Sequence, residues 1–378
     1  MTNKQTLICA AICAGSLPAV ASDSLIKFEP QFHLRMAHGN TSLADREIEL
    51  GGHDPSQDGF TLQGVELATV FHIGESFSGM AVANIFKRNG QSWDSEFEEG
   101  YLSFHGLGES ITLRGGRKLA SFGVMNPIHS HGFSFVDSNA PIVRYLGEDG
   151  FALDGAELQW DLPTPWEDSL FIGFGQAVTH THEEEDHGMM GGGMGGHAHD
   201  EEAEMARPED DVLTLRYQVN LGCDDFHRFI LGVSYLTGTN GFGMTTDIYG
   251  LDFSYLWREN GYEPGGKQLL WRTEWIMRDV ENDEGGFDDQ GLTTEILWQF
   301  AENWEAGLRY DWLEGVEDPE LLERNRYSAA LTRNFQINDQ TSALVRLQWN
   351  HDEIKGEGSE DSVWIQFGFD WGPGTSSN

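Results

Sequence analysis

The sequence predicts an all-β chain: a transmembrane, antiparallel, up-and-down β-barrel of about sixteen strands, of the outer-membrane type. Three observations predict it. Segment after segment alternates with a period of two, and one face of each segment carries charges while the other is rich in aromatics, as expected for a sheet with water inside and lipid outside. In Trp304–Trp312, for example, Trp304, Ala306, Leu308, Tyr310 and Trp312 share one face, and Glu305, Arg309 and Asp311 share the other. Mean hydropathy is negative, and only the first twenty or so residues could form an apolar helix, so a chain that crosses a membrane must close its strands into a barrel. Connections alternate between long and short, the asymmetry of external loops and periplasmic turns.

Taken in order, Met1–Ala21 has a Lys in its n-region, an apolar core at Leu7–Ala14 and the small-residue ending Ala19-Val20-Ala21. Residues 1–21 are therefore read as a secretory signal peptide, too short in its core to span a membrane. Cys9 and Cys13 lie within it without the pattern of a lipoprotein signal, and after cleavage Cys223 alone remains, which excludes a disulfide-stapled scaffold. Residues 22–371 are assigned to the barrel and 372–378 to a short tail.

The expected strands are Ile26–Met36, Phe60–Ile73, Phe77–Arg88, Glu96–His105 and Ser110–Leu119, then Phe151–Leu162, Ser169–Thr179, Val212–Leu221, Phe226–Leu236 and Ile248–Trp257. Gln268–Val280, Gln290–Phe300, Trp304–Leu313, Tyr327–Phe335, Thr341–His351 and Ser362–Trp371 complete the sixteen, with fourteen or eighteen as neighbouring counts. Long connections fall at 38–59, 120–150 and 180–211; short turns fall at 74–76, 106–109 and 337–340. Segment 120–150 lacks sustained alternation and is expected to fold inward as a constriction loop. Pro30 suits only an irregular or edge position of the first strand.

The stretch Ile111–Asn126, with Arg114, Gly116, Lys118, Phe122 and Gly123, resembles the part of the phosphate-selective porin superfamily that leads from a barrel strand into the pore-constricting loop. Pro127–Trp160, with its His-x-His, Phe-Val-Asp, Leu-Gly and Asp-x-Gly succession, is similar to outer-membrane barrel proteins linked to zinc homeostasis. The resemblance implies a porin of a Gram-negative outer membrane. A phosphate pathway needs a ladder of inward cations. The expected pore-lining residues are instead mixed: Arg114, Lys118, Arg216, Arg272, Arg309 and Arg346 alternate with Asp252, Glu274, Glu295 and Asp311. With the first strand so close to the cleavage site, the plug of a TonB-dependent receptor is not expected.

The balance of 62 acidic against 23 basic residues, a formal charge of −39, disfavours nucleic acid as a partner and suits cations. The external loop 180–211 places His180, His182, His187, His197 and His199 among carboxylates, Met and a Gly-rich hinge, a composition suited to weak, adaptable binding of zinc or, second, copper. A solvated acidic loop is the plain alternative. His129 and His131 form another His-x-His pair in the inward loop, with Asp137, Asp149 and Asp154 nearby; the competing reading is a loop packed by its own Phe133, Phe135, Ile142 and Tyr145. His33, His72, His105 and His351 stand singly and read as lining. No cofactor is required, and no catalytic motif is present, so enzyme activity is not expected. The expected function is passage of small hydrophilic solutes, divalent metal ions first, with a general diffusion porin or a non-conducting barrel as alternatives. Membrane lipid is the expected surrounding partner, and a homotrimer is compatible with a porin of this size.

Overall fold

The computed structural model describes residues 25–43, 48, 50–87, 93–178, 205–222, 224–263, 265–317 and 321–373. The segment expected to be a signal peptide, residues 1–21, lies outside them. Sixteen strands run β1 (Ile26–Asn40), β2 (Gly59–Ile73), β3 (Phe77–Lys87), β4 (Trp93–Phe104), β5 (Ile111–Leu119), β6 (Ala152–Asp161), β7 (Glu167–Ala177) and β8 (Pro208–Gly222). They continue as β9 (His227–Asn240), β10 (Thr245–Arg258), β11 (Gln268–Val280), β12 (Phe287–Ala301), β13 (Trp304–Leu313), β14 (Arg324–Asn338), β15 (Thr341–Ile354) and β16 (Gly358–Trp371). Every strand pairs antiparallel with its neighbours in sequence, and β1 pairs with β16 from Phe32↔Trp371 to Asn40↔Val363. The barrel is therefore closed, although β4 pairs with β5 only from Gly100 to Phe104. Pro30 stands below the last β1–β16 pair, so its missing N–H removes nothing from that ladder.

Several strands extend beyond the alternating stretch at the end where the long connections lie. β1 reaches Asn40 rather than Met36, β8 starts at Pro208 rather than Val212, and β16 starts at Gly358 rather than Ser362. At the start of β16 both faces are largely exposed, so the dry face that generates the period-two signal is lost there while backbone pairing continues; in the β1 extension the alternation is broken instead by Ala37, which is buried inward against Val136 and Trp364.

The outward face is apolar around the barrel. Leu331, Leu347 and Ile365 are cross-strand neighbours on β14, β15 and β16 and are all exposed. Aromatic rings gather toward the strand ends: Tyr235–Tyr249 and Tyr310–Tyr327 toward one, Phe77–Phe104, Phe229–Tyr255 and Trp257–Trp298 toward the other. Such girdles mark the two membrane interfaces.

The interior is not a uniformly wet wall. Segment 120–150 folds into it and carries a seven-residue helix, α1 (Ala140–Leu146), whose side chains are all buried. Phe122, Met125, Ile142, Tyr145 and Leu146 pack against Val212, Leu236, Ile248, Ile276 and Leu313, apolar residues that β8–β13 turn inward. Gly123 permits the closest approach: its φ is +58°, and a Cβ there would lie 1.7 Å from Glu274 Oε1. The backbone N–H groups of Val124 and Met125 donate to Glu274 Oε2 at 3.0 Å each.

Replacing Leu347 by Arg puts a charge on the lipid face and is expected to cost about 2–4 kcal/mol if the site is near the bilayer midplane. Unfolding of the barrel in lipid vesicles by denaturant measures it; an unchanged midpoint would overturn the assignment of that face to lipid.

Candidate functional site

Residues 50–58 and segment 120–150 meet inside the barrel, and the wall they meet on β1–β4 is acidic. Two β-bulges shape that wall. On β4 the pairing shifts between Val82↔Glu99 and Ala83↔Phe97, so Glu98 is the extra residue. The bulge turns both Glu98 and Glu99 inward, where strict alternation would send one of them to lipid. On β2 the register slips around Gln63, whose backbone oxygen meets His53 Nδ1 at 2.8 Å and whose amide donates to Val136 O at 2.7 Å.

The histidines of the inward loop sit on this wall. Both ring nitrogens of His129 face carboxylates, Nδ1 at 2.7 Å from Glu98 Oε2 and Nε2 at 3.0 Å from Glu99 Oε2. Burial opposes protonation of this ring, but hydrogen bonds and charge from the two glutamates outweigh it and hold His129 well above the ordinary histidine value. His131 Nδ1 lies 2.8 Å from Glu66 Oε2, and its ring stacks on His33 with centroids 3.8 Å apart. Burial, with the neighbouring His33 and His129, lowers the pKa of His131 against the pull of Glu66. His33, expected as simple lining, instead joins this group, with Nδ1 2.7 Å from Asp370 Oδ1 on β16.

His53, from connection 41–58, completes the array. Its Nε2 lies 2.8 Å from Glu96 Oε1, 3.4 Å from Asp149 Oδ1 and 3.8 Å from Glu98 Oε1. Burial disfavours its charged form, yet Asp149, Glu96 and Glu98 together push it up to about 10. A small cavity of ≈ 40 Å³ is lined by His53, Glu96, Glu98, His129, Phe133 and Asp149. Three sets of side chains bring ligand atoms close enough to share an ion: His33, Glu66 and His131; His53, Glu96 and Asp149; Glu66, Glu98 and His129.

Of the other expected site residues, His180, His182, His187, His197 and His199 lie outside the described residues. The expected pore-lining charges belong to the interior, but most are engaged in ion pairs or hold the inward loop. Arg216 pairs with Asp252 at 2.6 Å, Arg272 with Glu295, and Arg114 and Lys118 with Glu157 at 3.1 and 3.4 Å. Arg346 donates to Phe135 O and to Gln366, and Glu274 holds the loop backbone at Val124 and Met125. Asp154 is not near the histidines: it shares the outer face of the barrel with Arg117, which it pairs at 2.9 Å. His53, Glu66, Glu96, Glu98 and Glu99 were missed in the sequence, where the break of alternation at Glu96-Phe97-Glu98-Glu99 was the available sign of a bulge.

Asp137 fixes the whole arrangement. Its carboxylate accepts from Arg309 Nη2 at 2.6 Å, Arg326 Nη1 at 3.1 Å, Gln348 Nε2 at 2.8 Å and Asn350 Nδ2 at 2.6 Å. Burial alone would raise its pKa, but the two guanidinium groups dominate and hold it well below the ordinary value of 3.8. Asp54 lies close by, with its carboxylate on Ser138 N at 2.8 Å; burial and the charge of Asp137 raise its pKa.

Because the folded pKa of Asp137 is depressed, its stabilisation is fully present above the unfolded value of 3.8 and is lost only as pH falls through the lower folded value. Asp137→Asn leaves buried guanidinium groups short of a partner and is expected to destabilise by about 3–5 kcal/mol. Hydrogen exchange of residues 120–150 should show a difference between wild type and variant that is constant from pH 7 to about 4.5 and narrows only in stronger acid. A difference that vanished between pH 7 and 5 would refute this anchoring.

No family model matches the chain. An uncharacterized protein of Aquifex aeolicus (strain VF5) is 24% identical over 296 residues, 71% of this chain and 58% of that protein, so the chain spans little more than half the length of this relative. Among solved structures, OprB of Pseudomonas putida superposes with a TM-score of 0.60 at 10% identity, covering 92% of this chain and 94% of that one. The outer membrane channel DcaP of Acinetobacter baumannii gives 0.58 at 9% identity, with 92% and 96% covered. An anion-selective porin from Comamonas acidovorans gives 0.56 at 11% identity, with 92% and 99% covered. These likenesses carry the fold. With the apolar belt and the closed ladder, the chain is a sixteen-strand barrel of the kind found in Gram-negative outer membranes, and that membrane is where it resides.

Proposed function

We propose that this protein is an outer-membrane channel for small hydrophilic solutes whose favoured cargo is a divalent metal ion, zinc first and copper second. The observation that carries the reading is the seating of His129 and His131 on Glu98, Glu99 and Glu66 inside the barrel. Imidazole with carboxylate suits zinc and copper better than hard cations, which prefer oxygen alone. Surface carboxylates of a chain with formal charge −39 raise the local cation concentration at the mouth. The external segment with His180, His182, His187, His197 and His199 serves in this reading as the capture element. Two structural neighbours are described as a porin and as a channel, and the likeness of Pro127–Trp160 to zinc-linked barrels points the same way. One neighbour, OmpT of Vibrio cholerae, was solved in a trimer form, which makes a homotrimer the assembly to expect.

Zinc influx into vesicles holding a zinc-sensitive dye tests the reading. The wild type should admit zinc, while His129→Gln with His131→Gln, or deletion of 181–206, should slow entry about tenfold or more. Equal influx in all three would leave a general diffusion porin, and no influx of zinc or of any small solute would leave a non-conducting barrel.

A further inference from the structure

We infer that the β1–β4 wall is a stepped path for a divalent cation: a mouth station of His53, Glu96, Glu98 and Asp149, a middle station of Glu98, His129 and Glu66, and an inner station of Glu66, His131 and His33. The inference rests on the reading of this chain as a metal-ion channel and specifies where the ion binds on the way.

Spacing supports the stations. Ligands about 2.0–2.1 Å from a tetrahedral ion lie about 3.4 Å from one another. His53 Nε2 stands 2.8, 3.4 and 3.8 Å from three carboxylate oxygens, around that value. The ligand atoms of each of the three sets lie within 4.8 Å of one another.

Ring orientation supports them as well. A ligating histidine usually donates its other ring N–H to a carbonyl or carboxylate, which fixes the tautomer. His53 Nδ1 faces Gln63 O at 2.8 Å, which leaves Nε2 toward Glu96 and Asp149. His33 Nδ1 faces Asp370 at 2.7 Å, and Arg35 holds that same carboxylate at 2.9 and 3.2 Å. Arg35 and Asp370 are thus positioning residues for His33.

Hydrogen bonds alone do not use up these groups. His33 Nε2, Glu66 Oε1 and Asp149 Oδ1 are buried and make no hydrogen bond. His33 is 5% exposed, Glu66 2%, and the Asp149 side chain 10%. Such atoms occur elsewhere in the interior too, as at Glu274 and Asp352, but here three of them gather beside the histidine ligand sets, where an ion would complete them.

The stations are also ordered and linked. Glu96 lies near the start of β4, at the end of the barrel where the long connections are, whereas His33 and Glu66 stand at the middles of β1 and β2. Glu98 serves the mouth and middle stations, and Glu66 the middle and inner ones. An ion can therefore gain its next ligand before releasing its last, as conduction through several weak sites requires.

The test uses full-length protein and zinc alone. Calorimetric titration in detergent counts zinc equivalents, and dye-loaded vesicles measure zinc influx, for the wild type, His33→Ala, His53→Ala and Asp149→Asn. Heat-modifiable gel mobility verifies that each barrel is folded; Asp149→Asn keeps His53 on Gln63 and Glu96 and stands in if His53→Ala does not fold. Each variant should lose one zinc equivalent and slow influx about tenfold. Wild-type stoichiometry and influx in folded His33→Ala and Asp149→Asn would overturn the path while leaving the channel reading intact. Absence of zinc influx through the wild type, with bound zinc still lost in the variants, would overturn the channel reading and the path with it, leaving only static sites.

Discussion

The carboxylate of Asp137 is the constraint on which the interior depends. Two arginines, a glutamine and an asparagine from β13, β14 and β15 converge on it. A carboxylate removed from water is tolerated only with such complete compensation. The consequence is positional. His129 and His131 lie just upstream on the same loop, so tying Asp137 to β13–β15 sets the two histidines against the β1–β4 wall, which adjoins β15 through β16. The contact at Gly123 and the apolar cluster around Phe122 and Tyr145 hold both ends of the loop against β8–β13. The loop thus spans the barrel between an apolar seat, a charged hub and an acidic wall.

Charge is distributed unevenly around that interior. On the β8–β15 side most of the inward cations are paired, Arg216 with Asp252, Arg278 with Asp289, Arg324 and Arg326 with Asp352, while Arg346 donates to Phe135 O and Gln366. These pairs are buried and make that side nearly neutral, a rigid frame more than a binding surface. On the β1–β4 side, Glu66, Glu96, Glu98 and Glu99 outnumber nearby fixed cations, and histidines supply much of the compensation. Histidine can exchange a proton for a metal, which an arginine cannot. Soft, exchangeable chemistry therefore gathers on one side of the lumen.

The strands were legible because a barrel wall meets two different solvents, and residues one apart meet them alternately. All sixteen could be located from runs such as Trp304–Trp312. Their outer ends were not, because beyond the bilayer both faces are wet and the signal disappears while the ladder continues, as at the start of β16 from Gly358 to Asp361. The bulge at Glu98 was hidden for a related reason: two successive inward residues look like an interruption of a strand, not like a strand with an added residue. The apolar inward residues Val212, Ile248 and Ile276 were also unexpected, since they are dry only because the loop covers them.

The sequence by itself determined that the chain is a membrane-seated barrel with an inward loop, and it marked His129 and His131 as residues of interest. Those conclusions rest on local patterns, readable within ten or twenty residues. The tertiary structure decided which charges are frame and which are site. His33 meets Asp370 only because β1 closes against β16, His53 meets Glu96 only because residues 50–58 fold inward, and Asp137 meets Arg309 only across the lumen. Contacts between residues so far apart in the chain leave no period in the sequence; closure of the barrel creates them.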